Sequence, residues 1–521
     1  MIESISLHNY KAFEDVTIPI KPLTILLGAN SVGKSSIIQM LMLLHQTAEE
    51  RYSIYTSAFK IYGRYVNVGS YENLIKDKDK SQTLTVKVDF SSEEIQYRLK
   101  RSKQEFISRF KRASGAFSKS EYPSLFEINT ETRDDFNNFV GQFISAIKKT
   151  STEDNHILQF LQYRLDLHIN LLNDKIETDI MRAYDLREEL SLNPGTEYSV
   201  VFQLQAEDDF LRIRRFACMS NSGYVILDVE RKTDKNIKIA SDFSLNAKDI
   251  EHLSSIVNLN NTVFDIFDFK GDESEVESTL VSSFIYNLVS RILYSLRDDL
   301  TGENVNYVSP LRAHPKRYYM LDKARMSISL DTLDGDAIAE VLKENKEVKK
   351  QVNQWFSKFG FKIDVNMLRE VIHHMNVKQG GLDLDITDVG FGISQVLPII
   401  IQGFLSDEES LTIIEQPEIH LHPTMQADLG DLFIDIVQNE RKKLVVETHS
   451  EYLLRRIRRR ISEGKIDSKD VAICLFHARG KDKTALVEVL EIGEKGDFKW
   501  PEEFYGGELY NDTLEFLKNQ S

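Results

Sequence analysis

Gly28-Ala29-Asn30-Ser31-Val32-Gly33-Lys34-Ser35 near the start of the chain and Ile413-Ile414-Glu415-Gln416-Pro417-Glu418 nearly four hundred residues later read as two halves of one site. The first string fits G-x-x-x-x-G-K-[ST] without a mismatch. It lies between the apolar run Leu23-Thr24-Ile25-Leu26-Leu27 and a segment whose Ile37, Ile38, Leu41, Met42 and Leu44 recur at helical spacing. Strand, glycine loop and helix, in that order, let backbone amides converge on a phosphate at a helix N-terminus. Any fold for this chain must bring the second string back to the first across a stretch long enough for a whole further domain.

The loop makes Asn30, Ser31, Gly33, Lys34, Ser35 and Ser36 the candidate nucleotide-binding residues, with Lys34 as a point charge near the β and γ oxygens and Ser35 as a magnesium ligand. A purely structural glycine turn is the plain alternative. The apolar run Leu411 to Ile414 ends in Glu415, an acid at the tip of a buried strand, which suits a Walker B role beside the metal; a strand cap is the other reading. Gln416 follows where such ATPases usually carry a glutamate that activates water. A neutral amide can orient water but cannot take its proton, so hydrolysis is expected to be slow or to use another base. Glu418 is the candidate for that base.

Leu444-Val445-Val446-Glu447-Thr448-His449-Ser450 is a second apolar run with a polar end, and a histidine there can report a γ-phosphate or simply bond to backbone. The catalytic candidates are therefore Glu415, Gln416, Glu418 and His449, and the metal candidates Ser35 and Glu415. His420 and His422 flank Leu421 with no further close ligand, which argues against a metal pair. Asp388-Val389-Gly390-Phe391-Gly392-Ile393-Ser394-Gln395 precedes an apolar helix expected from about Val396, making Gly392, Ser394 and Gln395 a second anion-binding corner. Two such corners in one chain suggest a head-to-tail dimer in which each serves a nucleotide held by the other protomer.

Between the halves the pattern changes. Short alternating runs at Leu84 to Phe90, Ile95 to Leu99, Tyr198 to Gln205, Phe210 to Phe216 and Tyr224 to Val229 predict an antiparallel meander. A polar stretch interrupts it, with Phe136, Phe139, Val140, Phe143 and Ile147, then Ile157, Phe160 and Leu161, at helical spacing. The expected organisation is α/β: residues 1–83 as the N-terminal part of an ATPase head, 84–230 as an antiparallel β lobe with a helical insertion over about 103–192, 231–304 as a helical region, and 305–521 as the rest of the head. In that last part Leu411 to Ile414, Leu444 to Val446 and Val471 to Phe476 alternate with helices, the pattern of a parallel sheet.

Composition sets outer bounds. A chain of 521 residues, 41% hydrophobic, has material for roughly two to four cored domains. No apolar run approaches the roughly 18 to 20 residues of a membrane span, and Met1-Ile2-Glu3-Ser4 opens no signal peptide, so a cytoplasmic protein is expected. Cys218 and Cys474, far apart in apolar surroundings, offer neither a disulfide framework nor a zinc site. The net charge of −16 argues against coating nucleic acid by bulk electrostatics. Arg455, Arg456, Arg458, Arg459 and Arg460 remain as a local basic face, read either as a contact for nucleic acid or an acidic partner or as a solvated helix flank.

These residues resemble the ABC-type ATPases of the SMC, RecF and OLD group. Ile2 to Phe13 resembles that group's opening strand pair, Gly28 to Ser35 its Walker A, Gly390 to Gln395 its signature, Ile414 to Pro423 its Walker B and D-loop, and Thr448-His449-Ser450 its switch histidine. The signature departs from Leu-Ser-Gly-Gly-Gln, and Gln416 stands at the catalytic glutamate position. The resemblance implies ATP and Mg2+ as cofactors and a homodimer, or higher homo-oligomer, closed through an ATP sandwich. Within the group the chain looks most like stand-alone anti-phage ATPase subunits such as those of Septu and PARIS, which work with a separate effector, commonly a nuclease. About seventy residues follow His449, including Trp500 to Phe504, too few for the Toprim nuclease domain of OLD proteins. The implied function is a nucleotide-switched sensor or scaffold; a RecF-like clamp on DNA is the alternative, and no membrane partner is implied.

Overall fold

The structure is a computed structural model that describes residues 1–50, 57–150, 161, 165, 171–207, 210–221, 223–233, 236–267, 276–312, 314–320, 335–369, 371–477, 484–498 and 517–518. The chain divides into two compact units. One comprises Met1–Ile2, Tyr52–Phe59 and Thr83–Arg297, and the other Glu3–Arg51, Lys60–Gln82 and Asp298–Ser521.

The second of these units begins with the antiparallel pair β1 (Ile2–Tyr10) and β2 (Phe13–Pro19), in register from Ser4↔Pro19 to Tyr10↔Phe13. Next come β3 (Leu23–Gly28), buried at all six positions, and α1 (Lys34–Ala48). Gly33 holds the turn between them at φ +111, and a Cβ there would lie 2.5 Å from the Phe13 ring, so both conformation and space require glycine.

In the other unit, β4 (Leu84–Ser91) leads into α2 (Glu93–Ser114), α3 (Ser124–Glu127), α4 (Arg133–Thr150) and α5 (Ile176–Leu192). Strands β5 (Glu197–Glu207), β6 (Phe210–Ser220), β7 (Val225–Thr233) and β8 (Asn236–Ala240) follow, then α6 (Ala247–Ile256) and α7 (Leu280–Asp299). From β4 to β8 each strand pairs antiparallel with the next. The β4–β5 register closes at Ser91↔Glu197, so the helices leave and return at neighbouring positions of one hairpin. Their core is aromatic: Phe136 stacks on Tyr184 at 5.0 Å between centroids and meets Phe110 edge-on at 6.0 Å. The Arg187 guanidinium lies 4.3 Å from the Phe106 ring and 4.1 Å from that of Phe284 on α7, and burial pushes its pKa down to about 9.

Two expectations for this region need correction. Ile95 to Leu99 is not a strand but the opening of α2, where Ser92 accepts from the Ile95 amide and Glu93 and Glu94 occupy the first turn. Ile95 and Leu99 are four apart, as are Phe106 and Phe110 further on, so the helical period wins over a five-residue alternation that fits either. The insertion accordingly starts ten residues earlier than expected. The meander also runs past Glu230, through β8, into what was expected to be helical. Ile157 and Phe160 lie outside the described residues.

The chain then supplies β9 (Val305–Val308), β10 (Tyr319–Met320), α8 (Gly335–Glu344), α9 (Lys346–Ser357), β11 (Phe361–Arg369), β12 (Ile372–Gln379), β13 (Leu382–Asp385) and α10 (Phe391–Leu405). It ends with β14 (Leu411–Glu415), α11 (Pro423–Asn439), β15 (Lys443–Glu447), α12 (Glu451–Ser462), β16 (Val471–His477) and β17 (Leu486–Val489). Six strands form one sheet in the order β17-β16-β3-β15-β14-β9, parallel except for β17. Its strands and the helices on it, including α10, α11 and α12, bury one continuous apolar core. The antiparallel set β10 to β13 has no counterpart among the sequence expectations. The helix expected from Val396 starts at Phe391, which moves Gly392, Ser394 and Gln395 inside its first turns. Trp500 to Phe504 lie outside the described residues, among which no helix is long and apolar enough to cross a membrane.

Candidate functional site

The strand order fixes which side chains can meet. β3, β15 and β14 are neighbours, and parallel register aligns Glu415 with Glu447 and Glu447 with Leu26, so two strands end in carboxylates beside the loop that follows β3. That loop and the start of α1 form one wall of a cavity of about 490 Å³, to which Asn30, Ser31, Gly33, Lys34, Ser35 and Ser36 all contribute. Lys11, Ala12 and residues between Asn73 and Lys78 supply another wall, and Gln416 and Glu447 reach it from the strand ends. Glu415, Glu418, His449, Gly392, Ser394 and Gln395 do not line it.

Lys34 is buried, and its ammonium donates to the carbonyls of Gly28 (2.9 Å) and Ala29 (2.7 Å) and lies 3.6 Å from Glu447. Burial lowers its pKa, and Glu447 opposes that most strongly. The Ser35 hydroxyl donates to the other Glu447 oxygen at 3.4 Å. Burial pushes the Glu447 carboxyl up to about 7, assisted by the hydrogen bond and charge of Glu415, while Lys34 and His449 pull it down.

Glu415 sits behind this front. Tyr307 on β9 donates to its carboxylate at 2.5 Å, and the Arg312 guanidinium donates to the main-chain oxygens of Glu415 (2.6 Å) and Gln416 (3.1 Å). Two further nitrogens of this buried Arg312, Nε and Nη1, have no hydrogen-bond partner, and burial pushes its pKa down to about 10. Gln416 adopts φ +46, a left-handed conformation uncommon outside glycine, with its amide donating to the Glu447 carbonyl at 2.8 Å.

Glu418 spans from the end of β14 to the end of β15. One oxygen accepts from the Thr448 hydroxyl at 2.7 Å and the other from the His449 amide at 2.6 Å, so both are occupied in a strut between strand ends. Burial raises its pKa against those hydrogen bonds. Burial lowers that of His449, whose Nε2 has no partner.

Ser394 and Gln395 are buried within their own protomer. Gly392 packs so closely on the loop after β14 that a Cβ would lie 2.6 Å from the His420 carbonyl. Gly390, which begins α10 without a side-chain cap, is exposed and faces open space. His422 caps α11, accepting from the Thr424 amide. Among the described residues no group of three or more His, Cys, Asp or Glu side chains is placed to hold a metal alone. The donors present, the Ser35 hydroxyl and two crowded carboxylates, are hard oxygens that suit Mg2+ completed by phosphate and water.

Glu447, Tyr307 and Arg312 were missed from sequence. Glu447 carries the same signal as Glu415, an acid ending an apolar run, two residues before a histidine whose signal is stronger.

The profile of the AAA ATPase domain family matches residues 1–454. No curated protein matches the chain. Among solved structures, the SMC head domain from Thermotoga maritima aligns at 8% identity and TM-score 0.33, over 94% of this chain and 99% of that one. The Smc head domain with an extended coiled coil bound to the C-terminal domain of ScpA, from Pyrococcus furiosus, aligns at 10% identity and TM-score 0.35, over 94% and 96%.

Proposed function

Because the chain belongs to the AAA ATPase domain family, we propose that its phosphate loop and the strand ends of β14 and β15 bind Mg2+ and ATP and hydrolyse the nucleotide slowly. The fold is α/β, an ABC-type P-loop ATPase head with an antiparallel β lobe that carries a helical insertion. One observation carries the reading: a cavity into which the Lys34 loop, Ser35 and a strand-end carboxylate all project. In this reading Lys34 pairs with the phosphates, releasing the carbonyls of Gly28 and Ala29, Ser35 and the strand-end carboxylates serve the metal, and Gln416 orients water. A Mg2+ ion held there would neutralise charge on the phosphates. Both oxygens of Glu418 are engaged, which favours a bracing role over that of base. His449, with an unpartnered ring nitrogen, senses the γ-phosphate.

The same reading makes the protein a switch. Nucleotide closes a homodimer through the exposed N-terminus of α10, and the helical insertion meets the trigger or a separate effector, commonly a nuclease, in anti-phage defence. Support for that setting is the motif ensemble of the sequence. The DNA-clamp alternative draws less support, because Arg455, Arg456, Arg459 and Arg460 all pair with acids of their own chain. Lys34→Ala tests the foundation: ATP binding measured calorimetrically should disappear, and undiminished binding would remove the nucleotide site. Retrieval of the tagged protein with ATP present should recover a nuclease; recovery of duplex DNA in a salt-sensitive complex would instead support the clamp.

A further inference from the structure

We infer that Glu447, at the end of the central strand β15, is the carboxylate that holds the magnesium side of the site, and that Glu415 acts one layer behind it as a positioning residue. This rests on the nucleotide reading above and departs from placing the metal acid on β14. Glu447 lines the cavity, whereas Glu415 does not. Its two oxygens face the two residues of the phosphate loop with most to do, Lys34 at 3.6 Å and Ser35 at 3.4 Å. Two oxygens at adjacent corners of an octahedral magnesium ion lie about 3 Å apart, given bonds of about 2.1 Å. The Ser35 hydroxyl and the Glu447 oxygen are already spaced nearly so. Glu415, in contrast, has a carboxylate oxygen taken by Tyr307 and its carbonyl taken by Arg312. Those contacts fix its orientation one layer behind Glu447.

The arrangement gives Glu447 two partners in turn. Without nucleotide it faces the Lys34 ammonium at 3.6 Å. When Lys34 turns to the phosphates, a carboxylate is left facing Ser35 with no cation, and metal capture restores the balance.

The test is ATP binding titrated with Mg2+ for the full-length protein and for Glu447→Gln, Glu447→Asp, Glu415→Gln and Lys34→Ala, with Mn2+ paramagnetic resonance as a direct metal readout. Glu447→Gln should raise the Mg2+ midpoint by about tenfold or more and lose the bound Mn2+ signal, while ATP binding in EDTA persists; Glu447→Asp should recover part of the shift. Glu415→Gln should move the midpoint less. An unchanged midpoint in Glu447→Gln, or a larger shift in Glu415→Gln, would overturn the assignment. Persistent ATP binding by Lys34→Ala would sink the nucleotide reading instead, so the two failures are distinguishable.

Discussion

Glu447 shows how much one side chain can owe to its surroundings. Its ordinary value is 4.5, and burial beside Glu415 moves it to about 7. Between those values the folded protein keeps a proton that the unfolded chain has released. The stabilisation is therefore complete below about 4.5 and is lost as pH rises through 7, amounting to at most about 3 kcal/mol. Thermal unfolding without nucleotide, followed from pH 5 to pH 8, should show a decline in the wild type that Glu447→Gln lacks; equal declines would mean that the carboxyl is already ionised at low pH. Sequence made Lys34 and Ser35 legible because their spacing is rigid and local. It could not reveal that Arg312 holds the backbone of Glu415 and Gln416, because that contact depends on β9 lying beside β14.

At the scale of elements, α12 illustrates a sequence signal whose meaning depends on the neighbour. Five arginines in one short run suggest a basic surface, yet Arg456 and Arg460 both reach Asp431 on α11. The two helices pack closely enough for Gly430 to abut the Arg456 side chain. Asp431→Ala would leave two partly buried guanidinium groups short of a partner, and a loss of roughly 1–3 kcal/mol is expected in denaturant unfolding. A change within error would make the pair as inconsequential as an exposed one. The parallel strands were legible as apolar runs because both faces are covered. Strands β11 to β13 were not, since they are more exposed and polar residues interrupt their apolar positions, although Gly380-Gly381 marks the turn between β12 and β13.

For the whole molecule, the separation of the two sequence motifs is resolved by β3, β15 and β14 lying side by side, so distance along the chain vanishes at the strand ends. The intervening residues are organised around hairpins, with the helical insertion hung from one of them. Replacing residues 92–196 by a two-residue Asn-Gly turn should preserve ATP affinity, measured as for Lys34→Ala, while abolishing recovery of the nuclease partner proposed above. Loss of ATP affinity would make the insertion part of the nucleotide site. Its outline was legible in the phenylalanine spacing; its true start was not, because the segment from Ile95 to Leu99 satisfies two periodicities at once.

The closure of that hairpin at Ser91 and Glu197 has a structural corollary. Facing residues of an antiparallel pair stand only about 5 Å apart, a gap that a minimal turn can bridge. A segment attached at two such points behaves as a cassette: it can be lengthened, replaced or removed while the strands that carry it keep their register.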